Sequence, residues 1–377
     1  MKAVKIILIL LTVMIGVEFI IDPASLSAQE RVKRTSDPLV DWKPSDEARD
    51  IKYVGTQTCL QCHSKDKQID TPMAHASLLP ADSEILKKNP LLKFKNGSYS
   101  YELAKSGNDI IYTVTDGVNK ISEQVAYCFG EGQKGQVYIF YHNGQLYESK
   151  VTFYKGIQAL DFTVAQSRDV PKSLEEAIGR QIPAGEALNC FSCHSTGAVQ
   201  NKQQLKPANL TAGISCEVCH GPGEEHIKAF KVRDLKNLRI YNPAKMPAFE
   251  LSQQFCGTCH VGFEKVLTME KNVETVRFQP YRLFNSAKHD TTDARLSCIA
   301  CHDPHEKTQR EPAFYDTKCF ACHLLTSKDA KTPTRNASAC PVAKQNCVSC
   351  HMPKTDVPEM HFKFTDHWIR IVKPDKQ

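Results

Sequence analysis

Apolar and polar residues alternate most regularly between about 94 and 166. β-Branched and aromatic residues take every second position through 99–103, 110–115 and 137–141, the pattern of strands with one buried face. Asn143-Gly144 separates the runs 136–141 and 145–153 and predicts a hairpin closed by a type I′ turn. A small antiparallel β domain is therefore expected over 93–170. From 171 to 377 no long period survives. Short helices are expected there, joined by Pro- and Gly-containing loops such as Gly221-Pro222-Gly223, with a surface loop over 326–341.

The N-terminus follows a third pattern. Lys2 and Lys5 precede an apolar run over 6–17, and Ser25-Leu26-Ser27 follows it. Residues 1–28 are expected to be an export signal cleaved near Ser27 or Ala28. The run is 12 residues long, against the ~20 that a spanning helix needs, and Glu18 and Asp22 follow it closely. The mature chain is expected to have no integral membrane span and to reside in the periplasm or outside the cell.

Composition changes this picture in one respect. Of 377 residues, 41% are hydrophobic and 8% aromatic, with two tryptophans, a thin apolar core for a chain of this length. A non-protein filler is expected. The formal net charge of +6, without a long basic run, is too mild to argue for a nucleic-acid partner.

The filler is identified by the cysteines. Fourteen of the 16 fall into seven copies of Cys-x-x-Cys-His. These are Cys59, Cys62 and His63; Cys190, Cys193 and His194; Cys216, Cys219 and His220; Cys256, Cys259 and His260; Cys298, Cys301 and His302; Cys319, Cys322 and His323; and Cys347, Cys350 and His351. On a helical turn, positions i, i+3 and i+4 share one face. Two thiols can then bond the vinyl groups of one porphyrin while the imidazole reaches its iron from the same side. Zinc sites also use paired cysteines but need no histidine directly after the second. With 14 histidines in 377 residues, seven accidental placements have odds on the order of one in ten billion. A dithiol redox motif would need one reactive pair, not seven. Seven covalently bound haem c groups are expected. Each ferric bis-imidazole haem with two ionised propionates carries roughly −1, so the total charge would fall from +6 to about −1.

The strings begin 131, 26, 40, 42, 21 and 28 residues apart, so the last six form one dense region. The expected organisation is a signal over 1–28, a first haem segment over 29–92, the haem-free β insert over 93–170 and a six-haem helical and loop region over 171–377. The insert is read as a scaffold covering the haem array in preference to a substrate-binding module.

Laid out in this way, the chain resembles the multihaem cytochromes with doubled Cys-x-x-Cys-His motifs, the broad group related to hydroxylamine oxidoreductase that includes cytochrome c-554-like proteins. The resemblance covers about 50–370. It is carried by Tyr53-Val54-Gly55 ahead of Cys59, by Met73-Ala74-His75, and by Gly130-Glu131-Gly132 with Val137-Tyr138. Residues 216–226 (CEVCHGPGEEH), 298–305 (CIACHDPH) and 347–354, followed by His361 and Phe364-Thr365-Asp366-His367, complete it. It implies a mostly irregular, short-helical multihaem cytochrome c fold around the inserted β domain. It also implies that His75, His226, His305 and His367 are distal ligands, usually for a haem other than the nearest one. The histidine count adds His289 and His361 as candidates, whereas His142, before the Asn143-Gly144 turn, is expected to be an exposed polar residue. Six distal histidines would then serve seven irons. Met73, Met352 and Met360 lie near the strings and are expected to be packing residues. Cys128 and Cys340, outside the strings, either form a disulfide or are small buried apolar residues.

The preferred function is an exported electron relay through closely spaced, mostly bis-His haems. Its partners would be redox donor and acceptor proteins or a membrane quinol-oxidising complex, and an oligomer is compatible with it. One alternative is an oxidoreductase acting on nitrite, hydroxylamine or a tetrathionate-type compound at one open haem. The absence of a Cys-x-x-Cys-Lys string weighs against it. The other is a subunit of an extracellular conductive assembly.

Overall fold

The computed structural model describes residues 51–200, 204–269, 273–286, 289, 293–323, 340 and 345–372. The expected export signal and nearly all of the 326–341 loop lie outside these residues.

The alternating region folds as an antiparallel sheet of nine strands. They are β1 (Ser77–Leu78), β2 (Leu91–Asn96), β3 (Tyr99–Ser106), β4 (Asp109–Thr115), β5 (Lys120–Phe129), β6 (Gly135–His142), β7 (Gln145–Tyr154), β8 (Ala159–Phe162) and β9 (Gly179–Gln181). Strands β2 to β8 run in sequential order, while β1 adds to β5 and β9 to β7. The sheet thus takes strands from both sides of the 93–170 segment. Residue alternation explains its inner face: Tyr99, Tyr101 and Leu103 of β3 and Ile110, Tyr112 and Val114 of β4 are all buried. The aliphatic side chains among them each contribute about 1.5–3 kcal/mol by leaving water. The sheet curls until its ends meet, with Phe94 of β2 edge-on to Phe162 of β8 at 5.1 Å between ring centroids. Asn143 and Gly144 have φ of 49° and 74°, the two positive values a type I′ turn requires.

His142 departs from expectation. It is buried at 6% exposure, with Nδ1 2.8 Å from Glu123 Oε1 and Nε2 2.9 Å from Glu175 Oε2. Strand alternation turns it inward, and the two carboxylates satisfy its ring. Burial alone would lower its pKa, but the hydrogen bonds to Glu123 and Glu175 together outweigh that and raise it. A raised folded-state pKa stabilises the fold below the unfolded value and is lost as pH climbs through the folded value. Wild type should therefore lose up to about 1 kcal/mol of its advantage over His142→Gln on going from mildly acidic to mildly alkaline pH. Urea unfolding at both pH values checks this, and a pH-independent difference would refute it.

The rest of the chain forms short helices, and every string overlaps one, the first string by Cys59 alone. They are Thr56–Leu60, Ala184–His194, Cys216–His220, Gly257–His260, Cys298–Cys301, Pro312–His323 and Cys347–His351. A π-helical turn, Glu250–Cys256, leads into the fourth string. Between Lys231 and the π-helical turn the chain has one short 3-10 turn, Pro243–Lys245. Among the described residues no helix is long and apolar enough to cross a membrane.

Candidate haem-binding cavity

All seven string histidines open onto one continuous cavity of about 5420 Å³, as do all the string cysteines except Cys190. Shared among seven strings, this leaves roughly 770 Å³ each, within the range of about 300–1,000 Å³ that encloses a ligand of several hundred daltons. Local helical geometry sets each string: His63 N–H donates to Cys59 O at 2.9 Å, and His302 N–H to Cys298 O at 3.0 Å. Thiol and imidazole therefore emerge on the same side.

Neighbouring strings touch. Thiol contacts link Cys59 to Cys216, Cys193 to Cys259, Cys256 to Cys298 and Cys319 to Cys347. Cys219 lies within electrostatic range of Cys256 and Cys259, and Cys301 of Cys319. In space the strings run first, third, fourth, fifth, sixth, seventh, with the second beside the fourth. The 131-residue gap in sequence does not separate the first string from the others.

The imidazoles are pre-oriented. Nδ1 lies 2.7 Å from Ala76 O in His194, 2.8 Å from Tyr241 O in His220 and 3.0 Å from Arg370 O in His351. The candidate distal residues do the same: His226 Nδ1 is 2.7 Å from Leu238 O, and His367 Nδ1 is 3.0 Å from Thr365 O. His305 Nδ1 is 3.1 Å from Asp66 Oδ2. An Nδ1–H donated in this way leaves the Nε2 lone pair for a metal, the usual outer support of a ligating histidine.

Three cross-string pairs face each other. Ring centroids are 5.8 Å apart for His220 and His305, 5.8 Å for His289 and His323, and 6.1 Å for His302 and His367. Two metal–nitrogen bonds of about 2 Å in line would put opposing imidazole centres about 6 Å apart. The spacing fits an iron between each pair, and each distal residue meets a string other than the one preceding it.

Two buried carboxylates hold these groups in place. Glu217, within the third string and 2% exposed, accepts from Val54 N–H at 2.8 Å, Gly55 N–H at 2.9 Å and Gly223 N–H at 2.8 Å. It fastens the first string to the third. Asp366, 1% exposed, accepts from Arg282 Nε and Nη2 at 2.8 and 2.6 Å and from Arg370 Nη1 at 2.7 Å, just before His367. The sheet contributes as well: Phe129 of β5 stacks on the His194 ring at 4.5 Å and 12°. Gly213 has φ +75°, and a Cβ there would come within 1.7 Å of Ala74 O. That close approach lets Ile214 N–H reach Met73 O at 3.0 Å.

One further expectation is corrected. His361 does not line the cavity; its Nε2 is 2.7 Å from Asp161 Oδ2 and its ring packs edge-on to Tyr154 at the sheet. The carboxylate competes for the nitrogen that a metal would need. Of the two alternatives for Cys128 and Cys340, burial as a small apolar residue describes Cys128, in the sheet core, whereas Cys340 is exposed. His75 lies beside Glu131, Nδ1 to Oε2 3.7 Å. Met360 packs with Val276, Val357 and Phe364, whereas Met73 and Met352 border the cavity. Sequence reasoning quoted Glu217 and Asp366 within motifs but gave them no role, since a charged residue beside a string reads as solvated surface until its partners are known.

Parts of the chain are similar to known proteins. The family model "Cytochrome c554 and c-prime" matches residues 148–221. The multiheme cytochrome MtrA of Shewanella baltica is 22% identical over 204 residues, 48% of this chain and 52% of that protein. The C-type polyheme cytochrome OmcB of Geobacter sulfurreducens is 24% identical over 216 residues, 54% of this chain and 25% of that protein. The match thus spans about half or less of the curated relatives' length. Among solved structures, the outer cell wall cytochrome OcwA aligns over 85% of this chain and 80% of its own at 15% identity, with a TM-score of 0.48. Strings of paired thiols, each with an adjoining imidazole around one shared cavity, define a protein of covalently attached haem. The chain is a multihaem c-type cytochrome.

Proposed function

We propose that the chain is an exported electron-transfer cytochrome with seven haem c groups, one at each string, most of them held between two imidazoles. The observation that carries this reading is the set of three facing histidine pairs at 5.8–6.1 Å within a cavity bordered by every string. Bound haem supplies one-electron redox chemistry, and two imidazoles favour a lower potential than His/Met ligation. The residues of the chain do the rest. Local helical turns fix the imidazoles, backbone carbonyls hold the Nδ1 protons of His194, His220 and His351, and the Glu217 carboxylate keeps the first and third strings adjacent. No side chain is required to move a proton, so the protein contributes position, insulation and tuning. Redox donor and acceptor proteins, or a membrane quinol-oxidising complex, are the proposed partners.

The test is a haem count by pyridine haemochrome on the purified protein, followed by the ferric EPR spectrum of His305→Ala. Seven haems are expected, and the variant should convert about one-seventh of the iron from low spin to high spin. An unchanged spectrum would remove His305 from the ligand set. A count well below seven would overturn the reading itself.

A further inference from the structure

The helix of the second string, Ala184–His194, runs into the sheet, where its Ala187 and Phe191 pack with Phe129, Ile139 and Leu146. Strands β1 and β5 then converge on His194. Their antiparallel register pairs Ser77 with Phe129 and Leu78 with Cys128. Phe129 lays its ring flat on the imidazole, with 4.5 Å between centroids and 12° between planes. Ser77 donates its hydroxyl to His194 O at 2.5 Å, and the same oxygen accepts Gly213 N–H at 3.0 Å. Ala76, just ahead of β1, holds its carbonyl oxygen 2.7 Å from His194 Nδ1. Gly130 N–H, one residue past Phe129, donates to that carbonyl at 2.7 Å and fixes it. Two paired strands therefore hold the ring at its face, its Nδ1 edge and its own backbone.

The stacked ring is itself immobilised. Phe129 is 8% exposed, and Phe191 of the string's own helix meets it edge-on at 5.2 Å and 78°. Tyr127 meets Phe191 edge-on in turn at 5.1 Å. His220, His323 and His302 differ, since they meet histidine rings at 5.8–6.1 Å. The second string also stands beside the fourth, outside the file that the other six make.

Two physical effects at His194 act in the same direction. An Nδ1–H donated to a fixed carbonyl raises the basicity of a ligating imidazole, which favours ferric iron. The electron-rich face of a phenyl ring favours the state in which the imidazole carries more positive charge, again the ferric one. Both lower the reduction potential, and both require the imidazole to keep its plane.

We propose that Phe129, Ser77 and the Ala76 carbonyl are positioning groups for the second haem. The sheet fixes the plane of His194 and holds this haem at a lower potential than the string alone would set. The β domain is then a tuning element for one haem at a branch of the array. The proposal rests on the reading of haem attachment at Cys190 and Cys193 with His194 as ligand.

The experiment is a potentiometric titration with ferric EPR on the intact holoprotein, its haems counted. Phe129→Leu should shift one component to higher potential and move the g values of one low-spin haem, leaving the haem count and the other components unchanged. Ser77→Ala should shift the same component in the same direction, which keeps the test available if Phe129→Leu does not fold. Cys190→Ala combined with Cys193→Ala should delete that component, and its survival there would overturn the assignment. Tyr127→Leu removes a ring from the same cluster that does not stack on His194. It should lower stability in denaturant and keep the wild-type potentials. An equal redox shift in Tyr127→Leu would overturn the proposal, because a general loosening of the sheet would then explain both variants. Unchanged potentials and g values in Phe129→Leu and Ser77→Ala at full haem count would also overturn it and leave the relay standing. A wild-type count well below seven would instead remove the haem attachment on which both rest.

Discussion

Glu217→Ala is expected to destabilise the protein by about 3–5 kcal/mol and to release the first string from the third. The carboxylate accepts three backbone N–H groups, from Val54, Gly55 and Gly223, at 2.8–2.9 Å. Removing it strands all three, of which the Gly223 N–H is buried and those of Val54 and Gly55 are only partly so, and a fully buried donor left unpaired costs about 1–3 kcal/mol. Glu217→Gln keeps Oε1 as an acceptor but turns an amide N–H toward a donor, so about half the loss is expected. Denaturant unfolding of the holoprotein measures the loss, and limited proteolysis near Lys52 reports the release. A change within 1 kcal/mol would show that the two strings are held by other contacts.

Asp366→Ala should cost a similar amount for a different reason. Arg282 grips the carboxylate with two nitrogens and Arg370 adds a third contact, while Trp368 N–H donates to it at 3.0 Å. Without it two partly buried guanidiniums lose their counter-charge, a change of about 3–5 kcal/mol. The effect should also reach the next residue. His367 is held opposite His302 by the turn that Asp366 closes, so the variant should gain one high-spin haem, which a purely global destabilisation would not produce in the fully folded protein. Burial alone would raise the pKa of Asp366, but its bonds to Arg282, Trp368 N–H and Arg370 together hold it below the usual carboxylate range. A depressed folded-state pKa gives stability that is present above the unfolded value and lost as pH falls through the folded one. Wild type should therefore lose stability in acid faster than Asp366→Ala.

How far the sequence could be read differs from element to element. Strand alternation marked the inner faces of β3 and β4, because a period of two is a local property that any core preserves. Asn143-Gly144 announced its turn for the same reason, since the two positive φ values are intrinsic to those residue types. The same logic failed one residue earlier. His142 was expected to be exposed because a turn is usually polar and solvated, but its burial depends on Glu123 and Glu175, which lie 19 and 33 residues away. His361 failed similarly: Asp161, which occupies its Nε2, lies 200 residues away. Type and neighbourhood in the chain make a histidine available as a ligand. Whether it serves depends on what reaches its nitrogen first.

The seven strings and the chemistry of covalent haem attachment follow from the sequence by itself, because two thiols and an imidazole at i, i+3 and i+4 converge on one face wherever a helical turn forms. The shortfall of apolar residues, and with it the need for a non-protein filler, is likewise a property of composition. Tertiary structure alone decided which string stands beside which, placing the first against the third through Glu217 and the second against the fourth through Cys193 and Cys259. It also paired His220 with His305, His289 with His323 and His302 with His367. Local spacing constrains only groups that share a turn. Facing imidazoles and competing carboxylates are set by contacts between distant segments, and those exist only once the chain has folded.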